Sequence, residues 1–355
     1  MTARETSRPA SAARPLTAPL ALTMGDPAGI GPDIALMAWL ARDRLDLPAF
    51  AVYADAENLA QRAHKLGLQV PIARINRPEE ACQRFGIALP VRNIALSAQA
   101  VPGRPDSSHA PAIIAAIETA TADVAGRRAA ALVTNPIAKH VLYSAGFHHS
   151  GHTEFLAELA RRFDPSRRWV PVMMLASEVL RVVPLTVHVP LASVPKAVTR
   201  EHLLTTIGIT HEALRRDFGV AEPRIVVAGL NPHAGESGSI GREEVDVIAP
   251  AIAELAAQGL SVSGPYSADS LFHPAARARY DAAIAMYHDQ ALIPLKTLSF
   301  DTGVNVTLGL PFVRTSPDHG TAFDIAGSGA ASPSSLVAAL KMAAAMAQRR
   351  AEHDA

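Results

Sequence analysis

The sequence predicts an α/β protein of layered strands and helices, and three observations carry that expectation. Short apolar runs alternate with amphipathic stretches along the whole chain. The first apolar run opens directly into a glycine loop and a helix start. Polar residues collect where later apolar runs end, which is where open α/β sheets hold their ligands.

With 355 residues, the chain has room for two ordinary domains or one large α/β unit. Apolar residues make up 49 %, many of them alanine. A formal net charge of zero argues against holding nucleic acid by bulk charge. No apolar run reaches the roughly 18 residues of a membrane span. The single cysteine, Cys82, excludes internal disulfides and fits a reducing cytosol, so a cytoplasmic protein is expected. Residues 1–18 are rich in Ser, Pro, Ala and Arg and read as a disordered tail, with a transit peptide as the lesser alternative.

Pro19–Thr23 is a strand candidate, followed by the loop Met24–Asp33 and a helix with Pro32 in its first turn. Ile34, Met37, Ala38 and Ala41 continue that helix at helical spacing. FAVYADA, residues 50–56, repeats the strand-then-helix rhythm, whereas Arg74–Pro105 is proline-rich and has no assignable element. A helix is expected over Ala110–Gly126 and a buried strand over Ala129–Thr134. Thr153 can cap the next helix, and residues 170–177 and 180–190 read as a strand pair. Val194–Phe218 and Arg242–Gln258 are helical patterns, with strands at Arg224–Leu230 and Ala282–Tyr287. A last helix follows Ser332 as cap, with Pro333 at its first position and Arg349 and Arg350 near its negative end.

The chemistry gathers at strand ends. His188, His233 and His288 each follow a separate apolar run, and could meet at one divalent ion with positions open for substrate. Each could equally bond a loop backbone, since the chain has 14 histidines. His148, His149 and His152 form a rival cluster, although Ser150 and Gly151 interrupt any regular helix face. Lys296, Asn305 and Arg314 are candidates for an anionic substrate. The loop Gly25–Gly31 lacks both P-loop and Rossmann spacing and brings backbone close to something unidentified.

The segments GDPAGIGPD, TNPIAKH, SGHTEFLA, GLNPHAGE, GPYSADSLF, YHDQALIPLK and GVNVTLGLPFVRTSPDHGTAFDIAG together resemble the 4-hydroxythreonine-4-phosphate dehydrogenase family, over about residues 19–345. The opening loop and HGTAFDIAG are also similar to patterns of the isocitrate/isopropylmalate dehydrogenase superfamily. The resemblance implies a two-domain α/β/α architecture with an active-site cleft between domains, residues 19–145 plus 312–355 forming one and 146–311 the other. It implies metal ligands at His188, His233 and His288, one of them supplied by the second subunit of a homodimer. Substrate contacts fall on His152, Thr153, Lys296, Asn305 and Arg314. NAD or NADP is expected along the loop at Gly320, Thr321 and Asp324, and the proton acceptor among Lys296, Asp269 and Asp289. Asp33 stands where Glu is more usual, Ser237 and Ser239 replace commoner residues, and the Arg161–Val170 connection is longer.

The implied reaction oxidises the C3 alcohol of 4-phosphohydroxy-L-threonine, with a divalent ion (Zn, Mg or Co), and loses CO₂ to give 3-amino-2-oxopropyl phosphate, on the way to pyridoxal 5'-phosphate. Family relatives that oxidise a four-carbon sugar-acid phosphate or a terephthalate dihydrodiol are alternatives. A non-catalytic metal- and nucleotide-binding protein on the same fold is a third.

Overall fold

A computed structural model describes residues 16–149 and 151–355. The expected tail lies outside the described residues up to position 15. The chain opens β1 (Leu20–Thr23), α1 (Gly31–Leu40), β2 (Phe50–Ala54), α2 (Ala56–Lys65), β3 (Ile72–Ile75), α3 (Ala81–Arg84) and β4 (Leu89–Asn93). It continues through α4 (Ala110–Ala125), β5 (Leu132–Thr134), α5 (Lys139–Ser144) and α6 (His152–Phe163). Then come β6 (Val172–Ala176), β7 (Arg181–Thr186), α7 (Val194–Ala197), α8 (Arg200–Arg216), β8 (Ile225–Ala228), α9 (Ala249–Ala257) and β9 (Val262–Tyr266). The last part is α10 (Pro274–Arg277), β10 (Ala282–Tyr287), α11 (His288–Ser299), β11 (Val304–Leu308), β12 (Arg314–Pro317) and α12 (Ser334–His353).

The strands form one 12-stranded sheet in the order β3-β4-β2-β1-β5-β12-β11-β6-β7-β10-β8-β9. From β3 to β12 all neighbours are parallel. β11 is antiparallel to both β12 and β6, and β6 is antiparallel to β7. Beyond that, β7, β10, β8 and β9 are parallel again. Strand direction therefore reverses in the middle, and the carboxyl ends of the two parallel groups leave opposite edges of the sheet.

Side chains alternate across the sheet, so register assigns faces. Thr315 turns toward α12, where its hydroxyl donates to the Ala339 carbonyl at 2.9 Å. Its neighbours Arg314 and Ser316 occupy the other face with their cross-strand partners Thr307 and Asn305. On that second face α11 covers β7 and β10, burying Leu292 and Leu295 against Leu175, Val182, Ala283 and Ala285. The larger core lies under α1, α4 and α12, with Leu20, Leu22, Phe50 and Tyr53 fully buried.

Several sequence expectations need correction. The unassigned stretch Arg74–Pro105 contains β4 and the end of β3, a parallel edge pair too short and proline-interrupted to carry a pattern. β9, β11, β12 and α11 were likewise not foreseen. β12 reads Arg-Thr-Ser-Pro, without apolar alternation, and α11 carries Pro294 inside. Thr153 lies in the first turn of α6 and does not cap it; Gly151 holds the capping position. The expected helix 194–218 breaks at Val198, and Thr199 caps the second part by accepting from the His202 N–H. The helix expected over 242–258 opens with a π turn, Glu244–Ile248. α12 begins at Ser334, one residue beyond Pro333, with the Ser332 hydroxyl accepting from the Ser334 N–H at 3.3 Å.

Candidate functional site

The strand reversal leaves a cleft over the middle of the sheet, a cavity of about 850 Å³. Met173, Pro184, Thr186, Asn305, Arg314 and Ser316 share the sheet face that floors it. His152 and Thr153 enter from the start of α6, Lys296 from α11, and Asp318, His319 and Gly320 from the segment after β12. His188 and His288 close it at the carboxyl ends of β7 and β10.

Arg314 is the electrostatic centre of this cleft. It is 4 % exposed, and its guanidinium donates to the hydroxyls of Thr307 at 2.9 Å and Thr134 at 2.6 Å. No carboxylate pairs with it among the described residues, and its Nε has no partner there. Burial lowers its pKa to about 10. A buried cation without a counter-charge is costly, and the cleft therefore favours an anion. His152 Nε2, His319 Nε2 and Asn135 Oδ1 are also buried without partners and line the same cavity. Burial, with Arg314 and Lys139 beside it, holds the His152 imidazole neutral, well below its ordinary pKa. Such orphaned polar atoms mark a place where a polar ligand completes the hydrogen bonding.

Lys296 pairs with Asp318 at 3.2 Å. Burial pushes the Asp318 carboxyl up, an effect the Lys296 charge partly offsets. Neither Asp318 nor Lys139 was singled out from sequence. Lys139 follows the end of β5 by five residues and reaches the cleft beside Gly151, the only available signal being its position after a strand end.

The ring centroids of His188 and His288 are 5.6 Å apart. Two imidazoles bound to one ion at about 2.0–2.1 Å stand roughly this far apart, so this pair fits a shared divalent ion. Asp289 is exposed, and its carboxylate lies 2.6 Å from His288 Nδ1, where it accepts the ring N–H in the tautomer that leaves Nε2 to ligate. Burial first, then Lys139 and His288, lowers the His188 pKa, which favours the neutral, ligating form.

His233 does not join them. It stands in the loop after β8, on a different part of the chain from the ends of β7 and β10. The hydroxyl of Ser267 and then the His233 charge hold the Asp269 carboxyl below its ordinary range. Among the described residues no three His, Cys, Asp or Glu side chains meet as a metal site. The described chain thus brings His188 to His288 and leaves His233 apart from them, on the loop that neighbours Asp269. The rival histidine cluster does not form: His149 packs between Phe147 and Phe155, with centroids 5.0 and 5.1 Å away. Thr321 and Asp324 follow Gly320 on the same segment, where Phe323–Ile325 forms a single helical turn.

Both His188, φ 53, and His233, φ 54, occupy the left-handed region. The strained conformation continues through Ala234, Gly235, Glu236 and Ser237. Glu244, missed from sequence, braces this turn: one carboxylate oxygen accepts from the N–H groups of Leu230 and Asn231 at 2.7 Å each, and the other from the Asn231 amide at 2.9 Å.

The chain is similar to known proteins over nearly its whole length. The family model "Pyridoxal phosphate biosynthetic protein PdxA" matches residues 46–343. A 4-hydroxythreonine-4-phosphate dehydrogenase of Methylorubrum populi is 56 % identical over 337 residues, 94 % of this chain and 96 % of that one. The crystal structure of the enzyme of the same name from Klebsiella pneumoniae superposes with TM-score 0.83 at 37 % identity, covering 93 % of this chain and 99 % of that one. A terephthalate 1,2-cis-dihydrodiol dehydrogenase from Burkholderia xenovorans gives TM-score 0.62 at 27 % identity, covering 92 % and 98 %.

Proposed function

Because the chain belongs to the PdxA family of pyridoxal phosphate biosynthetic proteins, we propose that it oxidises the C3 alcohol of 4-phosphohydroxy-L-threonine with NAD or NADP, followed by decarboxylation to 3-amino-2-oxopropyl phosphate. The observation that carries this reading is Arg314, a buried guanidinium with no carboxylate partner among the described residues, at the centre of a cleft whose other orphaned groups seek a polar ligand.

Arg314, Asn305, His152 and Thr153 anchor the phosphate and carboxylate of the substrate. Lys296 stays paired with Asp318 and so acts as a fixed cation toward the same anionic groups. Gly320, Thr321 and Asp324 hold the dinucleotide. When bound, a divalent ion (Zn, Mg or Co) at His188 and His288 would supply Lewis acidity at the alcohol, and the dinucleotide would accept the hydride. Asp289 orients the His288 ring. Asp269, kept ionised by Ser267, is the proton acceptor when it arrives, together with His233 of its own chain, beside His188 and His288 of the second copy.

That last role requires a homodimer in which the pair His233 and Asp269 of one copy faces His188 and His288 of the other. Exposed apolar residues support such docking: Val189 and Leu191 follow His188, Ile293 and Phe300 crown α11, and Tyr266 lies near Asp269. The reversal of strand direction at β11 and β6 supports a division into two domains, 19–145 with 312–355 and 146–311, with the cleft between them. No helix among the described residues is long and apolar enough to cross a membrane, and a cytoplasmic enzyme fits the substrate.

The test is reduction of NAD or NADP at 340 nm on adding 4-phosphohydroxy-L-threonine and a divalent ion. Turnover is expected, and Arg314→Ala should lower kcat/KM for that substrate about a hundredfold, the loss of about 3 kcal/mol of charged hydrogen bonding. KM for the dinucleotide should stay within about twofold. Faster oxidation of a phosphate-free dihydrodiol, or of a four-carbon sugar-acid phosphate, would overturn the substrate assignment.

A further inference from the structure

The glycine loop after β1 does not turn its glycines to open space. A Cβ on Gly29 would come within 2.8 Å of the Thr321 carbonyl, and one on Gly31 within 2.5 Å of the Met24 carbonyl. The loop is pressed against the segment 320–327, with the Ile30 N–H donating to the Thr321 carbonyl at 3.0 Å.

Behind this contact lies a buried ion pair that the reaction above does not use. Arg62, on α2, is 2 % exposed, and Asp33, on α1, is fully buried. Arg62 pairs with one oxygen of Asp33 and donates to two carbonyls of the glycine loop, Gly29 at 3.0 Å and Pro27 at 2.9 Å. The other oxygen of Asp33 accepts the N–H of Gly327 at 2.6 Å. The segment is therefore fastened twice to the same support, at Thr321 through Ile30 and at Gly327 through Asp33. Between those points the backbone passes through the left-handed Ala322, φ 43, and the turn Phe323–Ile325.

Taking two charges out of water costs several kcal/mol each, and apolar residues of similar size often stabilise a fold as well or better. What an apolar pair cannot do is hold two loop carbonyls and a distant amide in fixed register. We infer that Arg62 and Asp33 are positioning residues that set the geometry of segment 320–327 and, through it, the affinity for the dinucleotide. The inference rests on the proposal that Gly320, Thr321 and Asp324 hold that cofactor.

The experiment compares full-length wild type with Arg62→Met, Asp33→Asn and Asp33→Glu, using two readouts that do not need turnover. Equilibrium titration with NADH and NADPH, followed by nucleotide fluorescence, should show a Kd raised about tenfold or more in Arg62→Met and Asp33→Asn. The Kd for 4-phosphohydroxy-L-threonine, measured by calorimetry without nucleotide, should change less than about twofold. Amide exchange over 321–327 in the nucleotide-free protein should quicken in the same two variants, and Asp33→Glu should restore both readouts to within about threefold. If Arg62→Met does not fold, Arg62→Lys carries the test, since its ammonium keeps the charge without the planar fork. Unchanged nucleotide Kd and exchange in folded variants would overturn the inference. So would equal weakening of substrate and nucleotide, the mark of general loosening. A wild-type protein that binds neither nucleotide would instead overturn the cofactor reading beneath it.

Discussion

His233 sits in a backbone conformation that L side chains avoid, at a cost of roughly 1–2 kcal/mol. Such strain persists only where neighbours over-determine it, as Glu244 does here with three hydrogen bonds to the chain around Leu230 and Asn231. Substitution separates ligand from scaffold: His233→Gly removes the imidazole and also relieves the strain. We expect it to lose the divalent ion by atomic-absorption assay and to lose turnover, while its Tm stays level or rises by about two degrees. A variant that keeps a stoichiometric divalent ion would remove His233 from the metal set. At this scale the sequence was informative where a polar residue ended an apolar run, as at His188, His288 and Arg314. It was silent on Asp318 and Glu244, because their roles depend on which segment lies opposite, and nothing local marks that. Asp289 and Asp269 were foreseen as pocket carboxylates, yet neither lines the cleft of a single chain.

Among the elements, α12 and α8 are joined by a buried carboxylate. Asp217 ends α8 and accepts from Arg350 of α12 at 2.8 Å through both oxygens, and from Arg216 at 2.9 Å. Burial works to raise the Asp217 pKa, but the bonds and charges of Arg350 and Arg216 outweigh it and leave the value below the ordinary one. A carboxylate depressed in the folded state contributes fully above its unfolded pKa of about 3.9 and loses that contribution as pH falls through the folded value. Asp217→Asn should therefore cost about 3 kcal/mol at pH 7 in urea unfolding, and the difference from wild type should shrink below about pH 4. A gap independent of pH would assign the loss to packing. The elements themselves were partly legible. Strands β1, β2, β7, β8 and β10 announce themselves as apolar runs, because parallel strands covered on both faces need such residues. β11 and β12 did not, since their cleft-facing positions are Asn305, Thr307, Arg314 and Ser316. The function of the site erased the pattern that would have revealed its floor.

For the whole molecule, the layered α/β class followed from alternation alone, but the reversal in the middle of the sheet did not. It is a property of which strands neighbour, set by contacts remote in sequence: β5, ending at Thr134, lies beside β12, beginning at Arg314. The separation of His233 from His188 and His288 is equally invisible to spacing. It makes a definite prediction about mixing. His188→Ala and His233→Ala should each be inactive alone, and refolding them together should return about a quarter of wild-type activity, because half the pairs are mixed and each mixed pair carries one intact site. No recovery on mixing would place all three histidines within one chain.

On the homodimer proposed above, catalysis is tied to abundance. Each cleft would take His188 and His288 from one copy and His233 from the other, so a dissociated copy would be a folded but idle molecule. Specific activity should then fall on dilution, with a second-order recovery on reconcentration.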